Sequence, residues 1–238
     1  MPTSGGRFPA GFPVLRDTRV IPMPPVFLDR RDAGRRLAVE LSDYADQNDL
    51  LVLALPRGGV PVAYEVARAL HAPLDVFMVR KLGVPGYEEL AMGAIATGGL
   101  RVLDEDLIRM LDLPKEIIDR VTAAEMRELE RREREYRGDR PPLDVRGHTV
   151  ILVDDGLATG STMRAAIAAL KKEGAKRIVV AVPVAPPETC EALKVQVDDV
   201  VCAVTPEPFR AVGLWYRDFS QTTDEEVRDL LASTAAPV

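Results

Sequence analysis

Histidine is nearly absent from this 238-residue chain: His71 and His148 are the two, far apart and outside any metal-ligand spacing. Zinc centres and His-dependent triads therefore drop out as leading readings. Cysteine is as scarce. Cys190 and Cys202 are too few for a disulfide framework, so a reducing cytoplasm is the expected setting. A basic excess is missing too, since 31 Lys and Arg face 37 Asp and Glu for a net charge of −6. General nucleic-acid binders present a basic face, so no nucleic-acid partner is expected. No apolar run approaches the roughly 18 residues of a membrane span, and the opening stretch MPTSGGRFPAGFPVLRD lacks the apolar core of a signal peptide. What is present is 47% hydrophobic side chains, on a chain long enough to bury a core without disulfides or a structural metal. At roughly 150 residues per domain, the length suits one large domain or two small ones. The expectation is a soluble, cytoplasmic, globular protein.

Residues 1–25 are rich in Pro and Gly without sustained period, and read as a surface arm. Helical spacing begins near Asp29 with Ala33, Leu37, Ala38 and Leu41. Gly34 interrupts that run, and a close helix contact is its simplest explanation. Then strands and helices alternate. Buried strands are expected at 50–55 (LLVLAL), 74–79, 149–153 (TVILV), 177–184 and 200–204, with helices at 60–71, 162–173, 187–195 and 224–231. Between 80 and 99 lies a Gly-rich stretch with a Pro85-Gly86 turn and a strand candidate at 91–97. A short helix is expected at 104–111. Residues 114–137, with ELERREREYR, read as a long exposed helix supported by Glu and Arg three and four apart. Such alternation indicates a parallel sheet covered by helices on both faces.

The chemistry concentrates in 150–162, VILVDDGLATGST. An apolar strand runs into two carboxylates, a loop of small residues and a helix start. A helix N-terminus preceded by Gly, Thr and Ser offers free N–H groups, hydroxyls and a favourable dipole to an anion. An ordinary strand-to-helix turn, with Ser161 or Thr162 as N-cap, accounts for the loop equally well. Asp154 and Asp155 shift the balance, because two carboxylates at the end of a buried strand are costly unless something uses them. A ligand with a diol and a divalent cation beside its phosphate reconciles the acids with an anion loop. The spacing is not a Walker A loop: three residues separate Gly156 from Gly160, and no Lys follows. A dinucleotide fingerprint and a G-x-S-x-G elbow are likewise absent. Pro56-Arg57-Gly58-Gly59, after the first strand, puts a cation and Gly-permitted amides together, as an anion loop or as a plain turn with a surface Arg.

The segment 150–162 resembles the phosphoribosyl pyrophosphate (PRPP) signature of type I phosphoribosyltransferases, and the element order over about 29–204 follows that family. The resemblance implies an α/β core at 28–204, an N-terminal arm at 1–27, and a C-terminal hood and helix at 205–238; the helical segment at about 104–138 departs from the family and reads as an insertion. It implies that Asp154 and Asp155 contact the ribose hydroxyls and, indirectly, a metal ion. Gly156, Ala158, Thr159, Gly160, Ser161 and Thr162 would cradle the 5′-phosphate. Arg57, Gly58 and Gly59 would bind pyrophosphate. Arg57, Arg80 and Lys81 would serve catalysis, the last two at the base of a closing loop, although solvated residues at a strand end are the equal alternative. Glu88 and Glu89 are weaker metal or proton candidates. Ala158 stands where hypoxanthine-guanine members carry Asp, so the loop is nearer the adenine and orotate types. Phe209, Trp215 and Tyr216 are candidates for an acceptor face, against the commoner role of packing a cover onto the core.

The implied activity is Mg²⁺-dependent transfer of the phosphoribosyl group from PRPP to a nitrogenous acceptor, a glycosyltransferase step of nucleotide metabolism. A homodimer is the state common among such enzymes. A non-catalytic PRPP or nucleotide sensor is the alternative, and a structural partner docking through the charged helix is a third.

Overall fold

In a computed structural model, described over residues 26–234, the apolar runs pair into one parallel sheet. Strands β1 (Leu50–Ala54), β2 (Leu74–Val76), β6 (Thr149–Val153), β7 (Arg177–Val184) and β8 (Asp199–Val204) lie in the order β2-β1-β6-β7-β8. Leu53 stands opposite Leu152, which in turn stands opposite Val180. The two central strands β1 and β6 are buried at every residue, as continuous apolar runs in parallel sheets require. Alternation assigns the faces. Val52, Ala54, Ile151, Val153 and Val179 point into one layer, and Leu51, Leu53, Val150, Leu152 and Val180 into the other.

Helices α1 (Arg30–Glu40), α2 (Gly59–Leu70) and α7 (Asp224–Ser233) cover the first face. Helices α5 (Ser161–Glu173) and α6 (Pro187–Lys194) cover the second. Asp29 caps α1 by accepting from the Asp32 N–H at 2.7 Å. Gly34 is a close helix contact as expected: a Cβ there would lie 2.6 Å from the Val62 carbonyl oxygen of α2.

Three features differ from the sequence expectations. The run 74–79 is not one strand. It leaves the parallel sheet after Val76, the Phe77 N–H donates to Ala54 O, and the Met78 N–H turns to Thr97 Oγ1. The Gly-rich stretch beyond it is an ordered antiparallel sheet of β3 (Val79–Val84), β4 (Tyr87–Ala96) and β5 (Leu100–Leu103). Pro85 and Gly86 make its first turn, Gly86 supplying the positive φ of +83° that such a turn needs. Cys190 and Cys202 are joined in a disulfide that ties α6 to β8. The cysteine count did not reveal it, because the pair meets only once the helix packs beside the strand.

Helix α3 (Glu105–Met110) follows, capped by Asp104, and then α4 (Lys115–Arg137). Helix α4 is less exposed than its charge suggests, for Ile118, Leu129 and Tyr136 form a buried stripe. The Tyr136 hydroxyl donates to Asp224 at the start of α7. Arg137 pairs with Asp75 of β2 at 3.0 Å, with side-chain exposures of 10% and 11%. The C-terminal segment crosses back over α1, where Phe27 forms a bridge to Tyr216. Most of the N-terminal arm falls outside the described residues. Among the described residues no helix is long and apolar enough to cross a membrane.

Candidate active site

Two strands of the parallel sheet end side by side, and the loops that follow them meet. Strand β6 delivers Asp154 and Asp155, and β1 delivers Pro56, Arg57, Gly58 and Gly59. The Leu55 N–H donates to Val153 O at 2.9 Å, extending the strand pairing into the loops. Contact there is tight enough to dictate glycine. A Cβ on Gly58 would lie 2.0 Å from Asp155 Oδ2, and one on Gly59 would lie 2.8 Å from Val153 O. Side-chain-free residues in the first loop thus let its backbone rest on the carboxylates of the second. The peptide between Pro56 and Arg57 is cis.

The acids are held under strain of charge. Asp154 Oδ1 accepts the N–H of Asp155 at 2.8 Å. Burial and the adjacent Asp155 charge push the Asp154 carboxyl well above the usual carboxylate range. Burial also raises Asp155, although Arg30 opposes it. Arg30 Nε donates to Asp155 Oδ2 at 2.8 Å, with exposures of 11% and 15% for the two side chains. The same guanidinium donates to Ser220 O at 2.6 Å and lies 3.9 Å from the centre of the Phe219 ring. Sequence reasoning missed Arg30, since nothing distinguishes it from its neighbours in RRDAGRR.

Beyond Asp155 the small-residue loop opens outward. Ala158, Thr159, Ser161 and Thr162 are exposed. Gly156 is packed, and a Cβ there would lie 2.5 Å from Val212 Cγ1. The cap of the ordinary-turn alternative, Ser161 or Thr162, does not form: Gly160, at φ +69°, is the N-cap of α5, and among the described residues no side chain caps the helix. The first-turn amides are thus left without a side-chain acceptor, an arrangement that suits an anion, while Ser161 Oγ accepts from the Thr159 hydroxyl at 3.4 Å.

The remaining candidates fall in three places. Arg57 is half-buried, 3.7 Å from Asp224. Arg80 lies on β3, paired with Glu125 of α4, and Lys81 beside it is exposed. Glu88 and Glu89 belong to β4, but their side chains lie outside what is described. Trp215 and Tyr216 are buried against Phe27, Ala33 and Val184, with Phe209 stacked 6.4 Å from Trp215. This is the packing arrangement, the commoner of the two readings weighed for these aromatics, and it leaves Trp215 and Tyr216 buried rather than presented as an open acceptor face. Tyr216 does serve the site, its hydroxyl donating to Asp155 O. Among the described residues no three His, Cys, Asp or Glu side chains converge as a metal cage.

Comparison with known proteins agrees with this geometry. The family model for the phosphoribosyl transferase domain matches residues 28–212, and the chain belongs to that family. A Mycobacterium tuberculosis H37Rv protein, provisionally named a phosphoribosyl transferase, is 46% identical over 202 residues, covering 85% of this chain and 45% of its own length. The chain thus spans about half the length of the curated relatives it matches. The crystal structure of TT1426 from Thermus thermophilus superposes with a TM-score of 0.79 at 44% identity, over 90% of this chain and all of that one. A uracil phosphoribosyltransferase from Lactobacillus gasseri is 47% identical over 66 residues, 28% of this chain and 31% of its own.

Proposed function

We propose that this chain transfers the 5-phosphoribosyl group of PRPP to a nitrogenous acceptor, a nucleobase in the first instance, and releases pyrophosphate. The observation that carries the reading is the contact between the Gly58-Gly59 backbone and the Asp154-Asp155 pair. It sets a loop suited to pyrophosphate directly against acids suited to a ribose diol.

In this reading the uncapped start of α5, with Thr159, Ser161 and Thr162, holds the 5′-phosphate through amides and hydroxyls. Asp155 accepts from a ribose hydroxyl, kept in place by Arg30 and by the Tyr216 hydroxyl on its carbonyl. Asp154 and Asp155 also offset positive charge at the anomeric carbon as the bond to pyrophosphate breaks. Arg57 and the Gly58 amide stabilise the departing anion, the Gly59 N–H being held by Leu55 O at 3.1 Å. The residues present fit Mg²⁺: the paired acids suit a cation held mainly by substrate oxygens and water. Bound there, the ion would neutralise charge on the leaving group.

The test is calorimetry with PRPP and Mg²⁺, and pyrophosphate release against a panel of purines, pyrimidines and small amines. Turnover with one acceptor is expected. The Asp154→Asn/Asp155→Asn variant should fold and lose at least about tenfold in PRPP affinity, as removal of charge-assisted hydrogen bonds implies. Unchanged affinity in that variant sinks the assignment, while PRPP binding without any turnover makes the chain a sensor instead.

A further inference from the structure

Helix α4 has no part in the mechanism above, yet it reaches the pyrophosphate side of the site. A small cavity of about 40 Å³ lies between the two anion loops, lined by Leu55 and Pro56 from one and Thr162 from the other. Phe77, Met78 and Val79 give it an apolar floor, and Arg80 of β3 with Arg132 and Tyr136 of α4 supply its polar wall. Tyr136 bonds Asp224, and Asp224 lies 3.7 Å from Arg57, so a third arginine stands on the same side. Burial and Asp224 push the Tyr136 hydroxyl up to about 12, while the charges of Arg132 and Arg57 both reach it and pull it down. That hydroxyl therefore remains a neutral donor amid two cations.

Each of these arginines is held by a carboxylate of α4 or α7. Arg80 pairs with Glu125, Arg132 with Glu128 at 2.7 Å, and Arg57 with Asp224. Glu128 is also bound by Arg131 through two contacts, at 2.8 and 3.0 Å. Releasing Arg132 thus leaves Glu128 still paired. Ion pairs as exposed as these contribute little, and a guanidinium prefers the bidentate grip of a doubly charged phosphate.

We propose that Arg132 is a further pyrophosphate-binding residue, exchanging Glu128 for oxygens of the leaving group, so that α4 builds one wall of the site. The inference rests on the PRPP reading of the Arg57 loop. The cavity has room for little more than one water-sized group, so the arginines must turn off their carboxylates as the anion enters.

The test titrates the full chain with inorganic pyrophosphate plus Mg²⁺, and separately with ribose 5-phosphate. It compares the parent with Arg132→Gln, Arg132→Lys and Arg134→Gln. Arg134 is the control, since it sits exposed on the same helix, carries the same charge and donates to the Glu130 carbonyl, away from Glu128. Arg132→Gln should weaken pyrophosphate by about tenfold or more, and Arg132→Lys by less, the charge remaining without the fork. Arg134→Gln should stay within about twofold, and ribose 5-phosphate should bind all four alike. Pyrophosphate binding to both Arg132 variants as tightly as to the parent overturns the inference alone, as does an equal loss in Arg134→Gln. A parent that binds neither ligand overturns the PRPP reading as well.

Discussion

Asp155 is touched from three directions by residues that lie far away in sequence. Arg30 meets its carboxylate, Tyr216 its carbonyl, and Gly58 occupies the space in front of it. Gly58 has an ordinary helical φ of −59°, so its side chain is excluded by space and not by backbone conformation. Gly58→Ala should therefore cost about 1–3 kcal/mol of stability, the usual range for overpacking. It should also weaken PRPP by displacing the carboxylate from Arg30. Urea unfolding and calorimetry check both, and an alanine variant with parental values for each would contradict the crowded contact. Asp154 carries a second prediction. Its carboxyl is raised in the folded state, so the folded chain binds that proton more tightly than the unfolded chain. Its stabilising contribution is present at pH values below the ordinary carboxylate range, near 4. That contribution is lost as pH rises through the raised value. Asp154→Asn, which cannot ionise, should melt above the parent at pH 7, and the gap should close toward pH 4. Thermal melts across that interval read it directly. These residue contacts were only half legible. The acids and the glycines stand in short local motifs, whereas Arg30 is 125 positions from its partner and shares its helix with three other arginines.

At the scale of elements, periodicity carried most of the information. The strands at 50–54, 149–153 and 177–184 are continuous apolar runs and are recognisable without any neighbour. The short strand β5 was not, since LRVL gains its strand character only by pairing with β4. The end of β2 was hidden for the same reason: the apolar run continues, and it is the bond from Met78 to Thr97 that turns it away. Helix α4 shows how charge misleads. Its Glu and Arg pairs read as a solvated surface, but Arg137 closes the helix by pairing with the buried Asp75, which also accepts from the Val76 N–H. Arg137→Ala would leave Asp75 without its main cation in a nearly dry position. A loss of about 3 kcal/mol is expected, read as a fall in the urea midpoint at unchanged slope. A neutral outcome would mean that Arg140, 3.9 Å away, takes over the pairing.

For the molecule as a whole, a chain of net charge −6 is proposed to bind a polyanion. Bulk charge does not decide this: Arg30, Arg57, Arg80 and Arg132 are each paired with a carboxylate, Asp155, Asp224, Glu125 and Glu128, so on this proposal the anion is met by local exchange of partners. PRPP with Mg²⁺ should stabilise the fold by mass action, about 2.7 kcal/mol at a hundred times the dissociation constant. For a chain this long that corresponds to about 5–10 °C in Tm. Thermal scans with and without ligand measure it, and the Asp154→Asn/Asp155→Asn variant should show almost no shift.

The amino-acid sequence by itself determined the alternating strands and helices, the glycine turns and the two small-residue loops proposed to bind anions. Each depends on residues within about a dozen positions, through periodicity, backbone freedom or N–H groups at a helix start. Only the tertiary structure decided that the two loops touch, that Arg30 holds Asp155, and that the aromatic cluster is buried packing. It also decided that the scarce cysteines are paired. Each of these depends on which strand lies beside which: the order β2-β1-β6-β7-β8 sets the ends of β1 and β6 side by side, and long-range contacts of that kind leave no local pattern.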